Sequence, residues 1–168
     1  MLVRAGGVSL FALCVVGVAV IATNPTVLVL QLADTETGER LAAYEVEDGE
    51  TFEIQYVHSF EKTPIHETYE VSDGEIVQVR EAYKYHAAGL EYTRETDREG
   101  EWIVSEPDRE ISEFTIRVAR STDQSLFVDG NERPLGSYAE PGAGVEISVE
   151  RIGMVEYHAA NVTTGGQT

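Results

Sequence analysis

Cysteine and lysine are scarce in this sequence. Cys14 is the only cysteine, which excludes an intrachain disulfide and any CxxC metal or redox motif. It lies in an apolar stretch, where it is expected to serve as a small hydrophobic residue. Lysine occurs only as Lys62 and Lys84. No HExxH, GxSxG or phosphate-binding glycine motif is present, so the sequence lacks the common signatures of metalloproteases, serine hydrolases and nucleotide-binding proteins.

Basic residues are also few relative to acidic ones. The chain has 12 lysines and arginines against 30 aspartates and glutamates, a formal net charge of −18. This balance excludes a nucleic-acid binder that works through phosphate contacts, and it disfavours adsorption to anionic lipids. The glutamates are spread over the whole chain, and carboxylates keep a surface hydrated where molar salt screens their repulsion. The composition therefore predicts a halophilic protein; an acidic surface that binds divalent cations is the alternative.

The longest apolar run, Ala5–Ala22, contains no charged residue. A helix of this length, at about 1.5 Å per residue, just spans the hydrocarbon core of a bilayer. Because Arg4 precedes the run and every acid follows it, the positive-inside rule predicts a single-pass protein with its C-terminal domain outside the cell membrane. The alternative is a signal peptide cleaved near Ala22, which would give a secreted protein. Residues 1–24 are thus assigned as an anchor or signal segment.

Beyond residue 24, apolar and polar residues alternate, which is typical of half-buried β-strands. Turn signals separate the candidate strands at Thr37-Gly38, Asp48-Gly49, Asp73-Gly74, Asp129-Gly130 and Pro141-Gly142. The candidate strands are Thr26–Leu32, Arg40–Val46, Thr51–Phe60, Ile65–Val71, Glu75–Tyr85, Trp102–Ser105, Ile111–Ala119, Ser125–Val128 and Val145–Glu150. This spacing predicts an all-β extracytoplasmic domain over residues 25–158, an antiparallel β-sandwich or a partly open barrel, preceded by one transmembrane or signal helix. The tail, residues 159–168, is predicted to be disordered.

The register of one hairpin follows from its apolar pattern. In the strand Thr51–Phe60 the apolar residues share a face with His58, and in the strand Ile65–Val71 they share a face with Glu67. Opposed residues of an antiparallel pair project to the same side. Matching the apolar faces therefore predicts the cross-strand pairs Phe60:Ile65, His58:Glu67, Tyr56:Tyr69 and Ile54:Val71. His58 and Glu67 are thus expected to face each other on the inner side of the sheet.

The predicted His58–Glu67 pair has two interpretations. The functional one is a hydrogen-bonded acid/base pair or part of a carboxylate–imidazole ligand site. The structural one is a satisfied polar pair that fixes the hairpin register, since buried polar groups need partners. We favour the structural interpretation because nothing else in the sequence completes a catalytic or metal-binding set. We therefore predict no catalytic residue, no metal site and no cofactor.

The other histidines and the tail add little chemistry. His66 is expected to project to the face opposite His58, so the two do not form a zinc motif. His86 and His158 are predicted to be surface residues. Asn161 begins an Asn-Val-Thr sequon, which makes it a candidate glycosylation site in an exported tail.

The segment Tyr56–Glu67 has a recognisable pattern, aromatic-x-H-S-x-x-K-T-P-V-x-E. The residues that match this pattern are His58, Ser59, Lys62, Thr63, Pro64 and Glu67, with Ile65 in the place of the valine. The pattern is similar to the signature of the family known as domain of unknown function 1850. That family's later G-A-G-L-P segment corresponds to residues 87–91, where Gly89 and Leu90 match while the first glycine and the proline are replaced. The resemblance spans roughly residues 26–150.

The resemblance implies a small exported protein with an N-terminal apolar segment and a β-rich body. Members of the family are often encoded beside a TRAP-type transporter of the TAXI branch, and no enzymatic activity is established for them. The implied partner is therefore the permease or the solute receptor of such a transporter.

Composition, anchor and resemblance together predict a membrane-anchored extracytoplasmic module that assists a solute transporter by protein contact. The first alternative is a solute- or cation-binding domain that uses His58, Glu67 and Lys62 as polar groups in a pocket. The second alternative is a hydrolase built around His58 and Glu67.

Overall fold

The computed structural model describes residues 25–84 and 96–164. Within them the chain forms twelve strands, a 3₁₀-helix and an α-helix. The strands are β1 (Thr26–Asp34), β2 (Arg40–Val46), β3 (Thr51–Val57), β4 (Pro64–Ser72), β5 (Glu75–Tyr83), β6 (Asp97–Glu99), β7 (Trp102–Ser105), β8 (Arg109–Ile111), β9 (Glu113–Arg117), β10 (Gln124–Val128), β11 (Asn131–Pro134) and β12 (Gly144–Gly153). The 3₁₀-helix is Leu135–Ser137, and the α-helix, α1, is Met154–Thr164.

The strands form two antiparallel sheets. The first has four strands in the order β2–β1–β12–β9. The second has eight strands: seven follow the order β11–β10–β3–β4–β5–β7–β6, and β8 pairs with another part of β5. Neither sheet closes on itself within the described residues, so the arrangement is sandwich-like. The predicted all-β, antiparallel class is confirmed.

A shared apolar core joins the two sheets. Leu30 and Ile147 come from the four-stranded sheet, and Ile54, Val71 and Leu126 come from the eight-stranded sheet. Each of these side chains is at most 1% exposed. Because side chains alternate along a strand, the polar residues between them face away from the core. Burying each such side chain contributes about 1.5–3 kcal/mol before the entropy of ordering the chain is counted.

Two of the predicted turn signals form two-residue hairpin loops. Asp73-Gly74 joins β4 to β5, and Asp129-Gly130 joins β10 to β11. The φ angles are 53° and 84° in the first loop and 54° and 69° in the second. A type I′ turn requires positive φ at both central residues, which is the reason why Asp-Gly is favoured there.

Three short strands are present that the sequence did not predict. These are β6 (DRE), β8 (REI) and β11 (NERP), and they are so rich in charged residues that no apolar alternation marks them. The tail also differs from the prediction, because α1 extends to Thr164 and thus covers the first part of the segment predicted to be disordered. Residues 165–168 lie outside the described part of the chain.

The chain divides into two compact units. The larger unit, residues 28–151, contains the core described above. Of the smaller unit, the structure describes residues 25–27 and 152–164, where the main-chain N–H of Met154 donates to the carbonyl oxygen of Pro25 (2.8 Å). His158 is exposed, as predicted, and Asn161 falls within α1; its glycosylation stays a prediction.

The predicted membrane segment precedes the part of the chain that the structure describes. Residues 1–24, Cys14 among them, lie outside the described residues. Among the helices that the structure does describe, none is both long and apolar enough to cross a membrane.

Candidate functional site

The motif residues lie on the hairpin formed by β3 and β4. In this hairpin Ile54 lies opposite Glu67, and Tyr56 lies opposite Ile65. The observed register contradicts the four predicted pairs, Phe60:Ile65, His58:Glu67, Tyr56:Tyr69 and Ile54:Val71. The faces are nevertheless as predicted, because the true register differs from the expected one by an even number of residues.

The loop, rather than the apolar pattern, sets the register. β3 ends before His58, and residues 58–63 form the connection in place of the four-residue loop that was expected. The main-chain N–H of His58 donates to the carbonyl oxygen of Thr63 (2.9 Å), and that of Lys62 donates to the carbonyl oxygen of His58 (2.9 Å). Pro64 then begins β4, a position where proline is tolerated in a sheet.

The imidazole of His58 closes this loop. Its Nδ1 accepts hydrogen bonds from the main-chain N–H groups of Phe60 (3.4 Å) and Glu61 (3.2 Å). The other ring nitrogen, Nε2, takes no part in these two hydrogen bonds. The prediction that His58 and Glu67 are cross-strand neighbours is therefore wrong. His58 organises the backbone of the loop, as short polar side chains do in many turns.

Residues 58–63, which we call the hairpin tip, present their central side chains to solvent. Ser59, Phe60, Glu61 and Lys62 are all exposed, and Phe60 is 84% exposed. Lys62 has a φ of 56°, a left-handed conformation that is uncommon for a residue with a side chain. The tip thus exposes an apolar ring and, two residues later, a cation, on a loop closed by its own hydrogen bonds.

Glu67 is held by two tyrosines. The hydroxyl of Tyr56 donates to Oε1 of Glu67 (3.0 Å), and the hydroxyl of Tyr69 donates to Oε2 (2.8 Å). Burial first, and then the charge of Glu67, raise the pKa of both tyrosine hydroxyls above 10. Both hydroxyls therefore stay protonated at neutral pH. They act as donors that fix the carboxylate, and neither can act as a base.

A second carboxylate lies beside Glu67 on the inner face. Glu81 is opposite Glu67 in the β4–β5 ladder and is 9% exposed, and Ser105 Oγ donates to its Oε2 (3.3 Å). Like charges directly opposite each other are destabilising. Hydrogen bonds from the hydroxyls of Tyr56, Tyr69 and Ser105 to the two carboxylates offset this repulsion. The sequence analysis missed Glu81 and Ser105, although the alternation of Glu81 with Tyr83 could have placed Glu81 on the inner face.

His66 lies on the opposite face from Glu67, as predicted. Its Nδ1 is 2.5 Å from Oε1 of Glu53, and its ring meets the ring of Trp102 edge-on at a centroid distance of 4.9 Å. The ammonium of Lys84 lies over the same indole, 5.1 Å from its centroid. His66 is thus part of a side-chain network on the outer face and shares no site with His58.

Two features of the described part of the chain bear on these residues, the grouping of its metal-ligating side chains and the position of its clefts. No group of three or more His, Cys, Asp or Glu side chains there is placed to hold a metal ion. Two clefts, one beside β5 and one around residues 118–125, are lined by no residue of the hairpin tip. His86, Gly89 and Leu90 lie outside the described residues. Nδ1 of His58 and both carboxylate oxygens of Glu67 accept hydrogen bonds within the molecule, whereas residues 59–62 of the hairpin tip are exposed.

Comparison with known proteins assigns this hairpin to a family. The model of a domain of unknown function, DUF1850, matches residues 52–135, a narrower range than the resemblance suggested. The match begins in β3, contains the Tyr56–Glu67 motif and ends at the start of the 3₁₀-helix. No curated protein and no solved structure matches the chain. The protein belongs to the DUF1850 family, whose motif residues here build and close the β3–β4 hairpin.

Proposed function

We propose that this protein is a membrane-anchored extracytoplasmic accessory module of a solute transporter, and that it acts through protein contact at the hairpin tip. The observation that carries the proposal is the presentation of Phe60, 84% exposed, on a loop that the His58 ring closes. A single exposed aromatic residue is common on protein surfaces. Here the motif residues hold that aromatic residue in place.

The hairpin tip has the properties of an interface anchor. Burying a phenylalanine side chain fully is worth about 1.5–3 kcal/mol, or roughly 10- to 100-fold in affinity. A loop that is already ordered loses little conformational entropy on binding. Lys62, two residues after Phe60, supplies a charge that favours an acidic partner surface and the correct orientation.

The alternative of a binding pocket built from His58 and Glu67 has less support. Nδ1 of His58 accepts from two loop amides, and both oxygens of Glu67 accept from tyrosines. A solute or a cation held at these three acceptor atoms would compete with these bonds. The same argument weakens a hydrolase that uses the pair.

The membrane side of the proposal rests on the sequence. Residues 5–22 are long and apolar enough for an anchor, and the family resemblance names the permease or receptor of a TAXI-type TRAP transporter as the partner. A retained anchor predicts that the protein stays in the membrane after carbonate extraction and keeps its full mass. A soluble form that begins near Thr23 would show instead that the segment is a cleaved signal.

Copurification from native membranes in molar salt tests the contact. We expect the full chain to copurify with the permease, and Phe60→Ser to lower the recovered permease by roughly tenfold or more. Val155, on α1, is the other large apolar side chain exposed in the described residues, at 69%, so Val155→Ser is the matched control. Equal recovery with both variants, or no permease with the unmodified chain, would contradict the proposal.

A further inference from the structure

A cleft lies against β4 and β5, beside the part of β5 that pairs with β8. Residues 81–83 of β5 pair with β7, and residues 76–78 pair with β8. Between these two stretches the β4–β5 ladder has a register shift at Thr68/Tyr69, and the chain between β7 and β8 turns at Asp108, whose φ is 47°. Outer positions of β4 and β5 and the segment 107–110 line an open cleft of about 730 Å³, which is large enough for part of a ligand or peptide.

The lining of this cleft combines an apolar floor with an acidic rim. We call its half-buried apolar residues, Val77, Val79 and Pro107, the floor, and its carboxylates, those of Glu70, Asp108 and Glu110, the rim. In the described part of the chain, the ion pairs of the sheet involve none of these three carboxylates. The basic residue of the lining, Arg109, donates instead to Oε1 of Gln78 (2.9 Å), which is itself buried at 3% exposure.

We propose that this cleft docks a basic segment of a partner protein. Lysine and arginine carry long methylene stems that cover apolar surface while their charged ends reach polar groups. The valine and proline floor can pack against the methylene stems. The rim carboxylates can pair with the charged ends. A free polyamine has the charges too, but an open cleft encloses it poorly and leaves the floor partly uncovered.

The inference rests on the proposed function only in that the domain contacts proteins, and it uses a different surface. The hairpin tip precedes Pro64 at the start of β4, whereas the cleft begins at Glu70 near the other end of that strand. The two surfaces can therefore be changed independently.

A peptide titration of the full chain tests the docking. The probe is acetyl-Leu-Lys-Val-Lys-amide, and acetyl-Leu-Gln-Val-Gln-amide is its uncharged match, both titrated by calorimetry in molar potassium chloride. At this ionic strength the Debye length is roughly 3 Å, so diffuse attraction to the acidic surface is screened and direct contacts remain. We expect saturable binding of the lysine peptide, roughly fivefold or more tighter than that of the glutamine peptide.

Two double variants and one single variant test whether the lysine peptide binds in the cleft. Glu70→Gln with Glu110→Gln should weaken the lysine peptide by roughly fivefold. Glu36→Gln with Glu39→Gln, which removes two exposed acids from the β1–β2 turn, should leave its affinity unchanged. Phe60→Ser should also leave it unchanged, so a failure of the hairpin-tip contact is distinguishable from a failure of the cleft. The proposal is overturned if both double variants bind alike, if both peptides bind alike, or if the lysine peptide shows no saturation below about 10 mM.

Discussion

Replacing Glu67 by leucine should destabilise the domain because it removes the acceptor of two tyrosine hydroxyl groups, one on a buried and one on a half-buried residue. Tyr69 is 4% exposed and its hydroxyl donates to Glu67 (2.8 Å). Tyr56 is half-buried and donates to the other carboxylate oxygen (3.0 Å). Leucine keeps a side chain of similar length in place but accepts neither hydrogen bond.

The magnitude follows from the exposure of the two hydroxyls. A buried donor left without a partner costs about 1–3 kcal/mol of stability. The unpaired hydroxyl of Tyr69 should therefore lower the free energy of unfolding by about 2 kcal/mol, and that of the more accessible Tyr56 by about 1 kcal/mol. Burial of the leucine and relief of the repulsion between Glu67 and Glu81 should together raise the free energy of unfolding by about 1 kcal/mol. The expected net loss in the free energy of unfolding is about 2 kcal/mol. Glu67→Gln keeps one acceptor oxygen and should lower the free energy of unfolding by about 1 kcal/mol.

The assay is urea denaturation of the full chain in detergent and molar salt, followed by circular dichroism. Glu113→Leu is the matched control, because Glu113 is exposed on the edge strand β9 and its replacement removes the same charge with a change within about 0.5 kcal/mol. Adding Tyr56→Phe and Tyr69→Phe to Glu67→Leu removes the donors as well, so the triple variant should recover most of the loss. A Glu67→Leu protein as stable as Glu113→Leu, or a triple variant less stable than the single one, would refute the reasoning.

Three further predictions concern the loop, the salt dependence and the tyrosines. His58→Ala should raise the hydrogen-exchange rates of the Phe60 and Glu61 amides by roughly tenfold, because it removes the acceptor that both share; unchanged rates would show that the ring does not order the hairpin tip. Dialysis from molar to millimolar salt should reduce the β-sheet circular dichroism signal and the melting temperature, since repulsion in a chain of net charge −18 grows as screening falls; a melting temperature independent of salt argues against a halophilic protein. The free energy of unfolding should fall as pH rises above 10, by up to about 1.4 kcal/mol per pH unit for each buried tyrosine. The sign follows because the folded-state pKa values of Tyr56 and Tyr69 are raised above 10, so the unfolded chain loses its protons first. Tyr69→Phe should reduce this slope, and an equal slope in both proteins would contradict the assignment.

Most of the fold could be predicted because the alternation of apolar and polar residues and the positions of the turn residues indicate the same strand boundaries. The bounds of β2 and β7 were predicted without error, since each lies between clear breaks and carries apolar residues at the core positions. The Asp73-Gly74 and Asp129-Gly130 loops were visible because positive φ at two consecutive residues restricts the sequence strongly. The charged strands β6 and β11 could not be found, because backbone pairing with a neighbouring strand holds them and no apolar pattern records it.

The candidate site was predicted in its residues but not in its contacts. Alternation placed Tyr56, Glu67 and Tyr69 on one face, and the structure keeps them there. The register depends on main-chain hydrogen bonds of the hairpin tip, such as that between His58 and Thr63, which a side-chain pattern does not encode. Two registers that differ by an even shift bury the same set of residues. The hydrogen-bond partners of Glu67 are therefore two tyrosines and not the predicted histidine.

A photoreactive phenylalanine analogue placed at position 60 tests the central claim most directly. Illumination of native membranes should crosslink the hairpin tip to the permease of a TRAP-type transporter, because Phe60 is the exposed anchor of the proposed contact. The same analogue at position 155, the exposed apolar position of α1, should give no such crosslink. A permease crosslink of equal yield from both positions, or none from position 60, would contradict the account.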